Sequence, residues 1–123
     1  MNIKIKIGCD IIHKDRFIEL TQQESVLNKI FTKHELAYSS SLEKLIGVFA
    51  AKEAVLKALE LKPGSWELIE VIKQENGKPA VKLLNYSGYN NIISQDISIS
   101  HDGEYVFAVA SFLITAENIA SKS

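Results

Sequence analysis

Isoleucines at positions 3, 5 and 7 alternate with Lys4 and Lys6 at the start of the chain. A period of two predicts a strand with one buried face. Gly8-Cys9-Asp10-Ile11-Ile12 is read as the end of that strand and the exit from it. From about Lys14 to Leu20 the pattern becomes helical, with Phe17, Ile18 and Leu20 apolar. A second helix is predicted over Glu24–Phe31. Thr32-Lys33-His34-Glu35 fits a capping box, with Thr32 as N-cap and Glu35 reaching back. Ser39-Ser40-Ser41 is a polar break. Leu42 to about Leu61 is rich in alanine, leucine, lysine and glutamate, all good helix formers. Lys62-Pro63-Gly64 then ends the helix.

The second half reads as sheet. Trp66–Gln74 predicts a strand. Asn76-Gly77 signals a hairpin, because type I′ turns need positive φ at both central residues. Pro79, just beyond the turn, suggests a sheet edge, and Ala80–Leu84 is the return strand. Asn85–Asn91 predicts a turn or a short helix. Alternation resumes at Ile97–Ser100, His101-Asp102-Gly103 turns, and Tyr105–Ile114 reads as a buried strand. Glu117–Ser123 is a polar tail. The fold class is α+β, with helices gathered in the first half and a mainly antiparallel sheet in the second.

Composition narrows the setting without giving a function. A chain of 123 residues suits one domain, 1–123, and can bury a core without disulfides. Nearly half the residues are apolar and the net charge is −1. No basic block marks a nucleic-acid surface, and no apolar run is long enough to span a bilayer. The N-terminus has no secretory pattern. Cys9, the one cysteine, excludes an internal disulfide and a cysteine-rich zinc site and reads as a small buried residue. A cytoplasmic protein is expected.

Three places could carry chemistry. Asp10 follows an apolar strand, where a carboxylate can bind a metal or can simply cap a turn. Glu53 and Lys57 stand four apart on the long helix, in the favourable order for a helical ion pair. Such an exposed pair is worth only about 0.5 kcal/mol, so on its own it reads as a solvated face. Ala50, Ala51 and Ala54 suit close packing of the same helix. His101 ends a strand and is either half-buried or a phosphate contact. His13 and His34 have no partner at metal-ligand spacing and read as surface residues.

The order of these signals along the chain says more than any one of them. "IGCDIIHKDRF", "FTKHEL", "FAAKEAVLKAL", "ENGKPAVKL" and "ISISHDGEYVFAVASF" together resemble the holo-acyl-carrier-protein synthase family, the small single-domain type of 4′-phosphopantetheinyl transferase. The resemblance runs from about Ile5 to Phe112. It implies the fold of that family, helices packed on a mainly antiparallel sheet. It also implies transfer of 4′-phosphopantetheine from coenzyme A to a serine of an acyl carrier protein, with release of adenosine 3′,5′-bisphosphate. By similarity, Asp10 and Glu53 are the carboxylates that hold magnesium, which prefers hard oxygen ligands. The serine proton goes to a metal-bound water or to Glu53 itself. Lys57 is implied as a catalytic cation on the coenzyme phosphate. His101 is implied as a coenzyme contact, and Asn76, Gly77, Lys78 and Pro79 as a turn beside the nucleotide. Lys14, Arg16 and Phe17 match the helix that docks the carrier. Family members of this size are trimers with sites between subunits.

The chain departs from the family pattern in three places. Val48 stands where arginine is usual. The stretch Leu59–Gly64 replaces a glycine-rich loop, leaving Gly64, with Lys62 as an electrostatic substitute. The docking helix is mixed in charge, since Asp15, Glu19 and Glu24 offset Lys14 and Arg16, which weakens steering of an acidic partner. These departures motivate an alternative, a catalytically weakened homologue that binds coenzyme A or a carrier.

Overall fold

The computed structural model describes residues 2–84 and 91–115. Five strands and four helices follow in the order β1 (Ile3–His13), α1 (Lys14–Leu20), α2 (Glu24–Ile30), α3 (Lys33–Tyr38), α4 (Leu42–Ala58), β2 (Ile69–Lys73), β3 (Pro79–Leu83), β4 (Ile92–Asp102) and β5 (Tyr105–Thr115). The predicted turn or helix at Asn85–Asn91 falls, except for Asn91, outside the described residues, as does the tail Glu117–Ser123. The class is α+β. One antiparallel sheet has the order β1-β5-β4, and β2 and β3 form a separate two-stranded ribbon.

Helix α4 lies across one face of the three-stranded sheet and forms the centre of the core. Ile46, Ala50, Ala51, Ala54 and Val55 are fully buried beneath it, facing Val106, Ala108, Ala110 and Phe112 of β5. The alanines bring the helix unusually close to β1. A β-carbon on Gly8 would sit 2.2 Å from the Ala54 carbonyl oxygen and 2.5 Å from the Ala58 nitrogen. Strand glycines often mark such a close backbone approach.

The capping box at Thr32 forms as predicted, with Glu35 N–H on Thr32 Oγ1 and Thr32 N–H on Glu35 Oε1. Several boundaries differ. Helix α4 ends at Ala58, because Glu60 takes φ 55° and Leu61 N–H turns back to Leu56 O. This is a Schellman ending, usually made with glycine. Trp66–Leu68 is a 3-10 turn, and the strand begins at Ile69. The Asn76-Gly77 hairpin is not type I′: of its turn residues only Gly77 has positive φ, 85°. Gly77 N–H closes on Gln74 O, so the loop is one residue longer, with Gly77 in the left-handed position. Strand β4 runs through His101 and Asp102, and the turn to β5 is Gly103-Glu104 instead.

Two burial expectations are overturned together. Ile3, Ile5, Ile7 and Ile11 are 53–71% exposed, on the sheet face turned away from α4. The lysine phase of β1 faces the helix, since Gly8 and Asp10 belong to it. Cys9 is exposed with the isoleucines. Strand β1 does not end at Asp10 either: Asp10 pairs with Ala108 in mid-strand. Tyr105 and Phe107 of β5 continue the apolar face outward, 50% and 41% exposed.

Candidate active site

Asp10 points from β1 toward α4, because even positions of the strand face the helix. There it meets Lys57, whose Nζ lies 2.9 Å from Asp10 Oδ1 and 3.1 Å from the Cys9 carbonyl oxygen. The helical neighbour Glu53 takes a different partner: its Oε1 accepts the Trp66 indole N–H at 3.1 Å. The Glu53–Lys57 spacing on the helix therefore does not give a simple surface ion pair. The lysine is spent across the gap on β1, and the glutamate is oriented by a tryptophan.

This arrangement perturbs the titrations. Burial pushes the Glu53 carboxyl above the ordinary glutamate range, and the charge of Asp10 adds to the shift, against the Trp66 hydrogen bond and Lys57. The hydrogen bond to Asp10 raises Lys57 above the ordinary lysine range. Two carboxylates repelling one another in a partly dry cleft call for a cation. The other oxygen of Asp10, Oδ2, is buried and without a hydrogen-bond partner. An orphaned buried carboxylate oxygen is costly, and it is a ligand atom suited to a hard divalent ion. Asp10 and Glu53 thus fit magnesium.

The cleft around these carboxylates has a volume of about 520 Å³ and is walled by Phe49, Arg16, Leu20 and Tyr105 among others. Of the predicted docking residues, Arg16 and Phe17 line it. Lys14 stands 3.7 Å from Glu43. Phe17 corrects the sequence reading: it is 1% exposed, packed against the rings of Phe31 and Phe49, and is not available to a partner. The apolar residues that α1 turns outward are Ile18 and Leu20, 43% and 46% exposed.

A second cleft, about 250 Å³, opens at the other end of α4. It gathers His101, Gly77 and Pro79, three residues singled out in the sequence, with Gly47 and Val48 of α4 and Lys73 of β2. Gly47 is in contact range of Ile99, so a side chain there would meet it at 3.3 Å. His101 Nδ1 lies 3.6 Å from Glu43 Oε1, an ion pair when the imidazole is protonated. Asn76 caps its own turn through Lys78 N–H, and the Lys78 ammonium pairs with Asp96. Val48 is an apolar wall of this cleft, and Lys62 is exposed and lines neither cleft.

Sequence reasoning missed Trp66, whose role depends on a loop fold with no local signature. It also missed the burial of Lys52. That side chain is wholly buried beside wholly buried Glu35, at 2.8 Å. A different acidic group, His13 with Asp15 and Glu104, has ligand atoms within 4.8 Å of one another. It has a local explanation: His13 Nδ1 caps α1 by accepting Asp15 N–H.

The model of the 4′-phosphopantetheinyl transferase superfamily matches residues 6–110. A holo-[acyl-carrier-protein] synthase of Finegoldia magna is 33% identical over 116 residues, covering 91% of this chain and 98% of that protein. One from Thermodesulfovibrio yellowstonii is 40% identical over 116 residues, with 89% and 96% covered. Among solved structures, the ACPS–CoA complex of Chronobacterium ammoniagenes superposes with a TM-score of 0.79 at 26% identity, covering 91% of this chain and 98% of that one. The Helicobacter pylori synthase in complex with coenzyme A gives 0.76 at 29%, with 86% and 98% covered.

Proposed function

The chain belongs to the 4′-phosphopantetheinyl transferase superfamily, and on that premise we propose that it is a holo-[acyl-carrier-protein] synthase that moves 4′-phosphopantetheine from coenzyme A to a carrier serine. The observation that carries the proposal is the meeting of Asp10 and Glu53 in one cleft, with Lys57 paired to Asp10 Oδ1 and Asp10 Oδ2 buried and unpartnered. The serine oxygen attacks the phosphorus that bears the pantetheine arm. The pyrophosphate bond breaks, and adenosine 3′,5′-bisphosphate leaves with the bonding electrons.

In this reading Asp10 and Glu53 hold magnesium, which when bound neutralises phosphate charge that would repel the nucleophile. Glu53, whose carboxyl burial makes more basic, is placed to accept the serine proton. Lys57, exposed at its tip, offers positive charge to the leaving phosphate. Arg16 and Leu20, one turn apart on α1 and both lining the cleft, form the face that receives the carrier. The second cleft takes the nucleotide end of the coenzyme, with His101 and the Asn76–Pro79 turn on its walls.

The same proposal includes a homotrimer. Its support is the outward isoleucine face of β1 with Tyr105 and Phe107, since contiguous exposed apolar surface of this kind marks an interaction site. Three sites, each between neighbouring subunits, follow. A single domain over 1–123 and a cytoplasmic location complete it; among the described residues no helix is long and apolar enough to cross a membrane, and Cys9 is free.

The test is mass spectrometry of an acyl carrier protein after incubation with coenzyme A and magnesium. A gain of one phosphopantetheine that disappears with Asp10→Ala supports the proposal. No gain on any of several carriers, with coenzyme binding intact, points to the alternative of a binding module, for which apolar Val48 in the second cleft is the motive.

A further inference from the structure

The ribbon β2–β3 stands apart from the main sheet. Two-stranded ribbons are marginal in water, and both outer edges of this one carry backbone groups that need partners. Val71 and Val81 lie directly opposite each other in it. On the β2 side, Val71 N–H donates to Glu35 Oε2 at 2.7 Å. On the β3 side, Val81 N–H donates to Gln95 Oε1 at 2.7 Å, and Val81 C=O accepts from Gln95 Nε2 at 2.9 Å. A primary amide offers a donor and an acceptor together, so Gln95 stands in for a neighbouring strand. One rung of the ribbon is therefore gripped from both sides by side chains.

The Glu35 grip is itself fixed. Its other oxygen, Oε1, accepts from Thr32 N–H at 2.9 Å and from Lys52 Nζ at 2.8 Å. Lys52 Nζ also donates to Ile30 O at 2.6 Å. Burial draws Lys52 below the ordinary lysine range, and its hydrogen bond to Glu35 opposes this. A buried pair with its hydrogen bonds filled holds one geometry.

The elements that supply the grips also wall the second cleft. Helix α3 carries Glu35 and, one turn on, Tyr38. Strand β4 carries Gln95 and, on the same strand, Ile99 and His101. The ribbon contributes Lys73, Gly77 and Pro79. We propose that Gln95 and Glu35 are positioning residues that clamp the β2–β3 ribbon and so set the width of the second cleft for the nucleotide end of coenzyme A. This rests on the reading of that cleft as the coenzyme site. Neither clamp side chain lines the cleft, so each acts through the ribbon. The ribbon is also held by Thr32 Oγ1, which donates to Glu70 Oε2 at 2.6 Å, and by Ile69, Val71 and Val81 in the core, but Lys73 over the Tyr38 ring at 5.9 Å and the Lys78–Asp96 pair are exposed and weak by comparison.

The experiment is steady-state transfer with amide hydrogen exchange on the full chain. Gln95→Leu is expected to raise KM for coenzyme A about five- to tenfold with kcat within about twofold, the pattern of lost uniform binding, and to speed exchange at Val81. Gln95→Glu keeps the acceptor and loses the donor, so it falls between. For Glu35, the double variant Glu35→Gln/Lys52→Met retains an acceptor for Val71 without leaving a lone buried charge, and keeps a near-normal KM. Glu35→Leu/Lys52→Met raises KM and exposes the Val71 amide. Faster exchange with unchanged KM, a fall confined to kcat, or unchanged exchange overturns the proposal. If the unaltered protein uses no coenzyme A, the functional reading fails, while exchange at Val71 and Val81 still tests the clamp.

Discussion

Trp66 donates its indole N–H to Glu53 across 3.1 Å, and this hydrogen bond works against the burial that raises the Glu53 pKa. Its removal in Trp66→Phe, which keeps a ring against Phe49, lets the pKa climb further. Protonated Glu53 neither holds a metal nor accepts a proton. The acid limb of the pH–rate profile is therefore expected to move to higher pH, with the plateau little changed. An unmoved limb would show that Glu53 ionisation does not govern the rate.

Gly8→Ala places a methyl group against the backbone of α4, where neither the Ala54 carbonyl nor the Ala58 amide can swing aside. Overpacking of this sort costs about 1–3 kcal/mol or more. The helix must lift from β1, which separates Asp10 from Lys57. Calorimetry is expected to show a lower melting temperature, and the transfer assay a fall in kcat larger than the loss of folded protein explains.

Glu53→Gln is expected to be more stable than the parent at neutral pH, yet inactive. A carboxyl whose folded pKa is raised makes the fold less stable as pH climbs from the ordinary value of 4.5 through the raised one, because the unfolded chain ionises first. Glutamine carries no such charge and still accepts from Trp66. The melting curves of the two proteins should coincide near pH 4 and separate toward pH 7. Transfer should drop on the order of a hundredfold or more. A variant less stable at neutral pH would mean that Lys57 already compensates the charge.

Ile5→Lys sets a charge in the middle of the outward isoleucine face, at a position 71% exposed. Folding of the single chain should be nearly untouched, since surface changes are usually within about 0.5 kcal/mol. Light scattering is expected to report the mass of three chains for the parent and of one for the variant, and coenzyme binding should weaken with it. A monomeric parent would refute the trimer.

The site was legible in the sequence to the extent that its residues are carried by local motifs. Asp10, Glu53 and Lys57 stand in recognisable strings, and the structure sets Asp10 and Glu53 in one cleft with Lys57 bonded to Asp10. Alternation in Ile3–Ile7 told which residues share a face, but periodicity does not say whether that face is covered by the same chain, so the exposed side was read as buried. Cys9 went the same way by sharing that phase. Phe17 was placed on a docking surface because helix position alone does not reveal the Phe31 and Phe49 rings packed on it. Glu35 was visible only as half of a capping box. Its bond to Lys52, 17 positions away, follows no spacing rule, and neither does the reach of Gln95 to Val81.

Helix α4 carries Gly47 and Val48 at one cleft and Glu53 at the other. Six residues of α-helix measure about 9 Å, so the helix acts as a gauge between the two clefts. One residue added or removed between Val48 and Glu53 would change that length by only about 1.5 Å. It would also turn everything beyond it by about 100°, swinging Glu53 and Lys57 off β1. Length variation in this family should therefore collect in the stretch after Ala58 and stay out of the four positions 49–52.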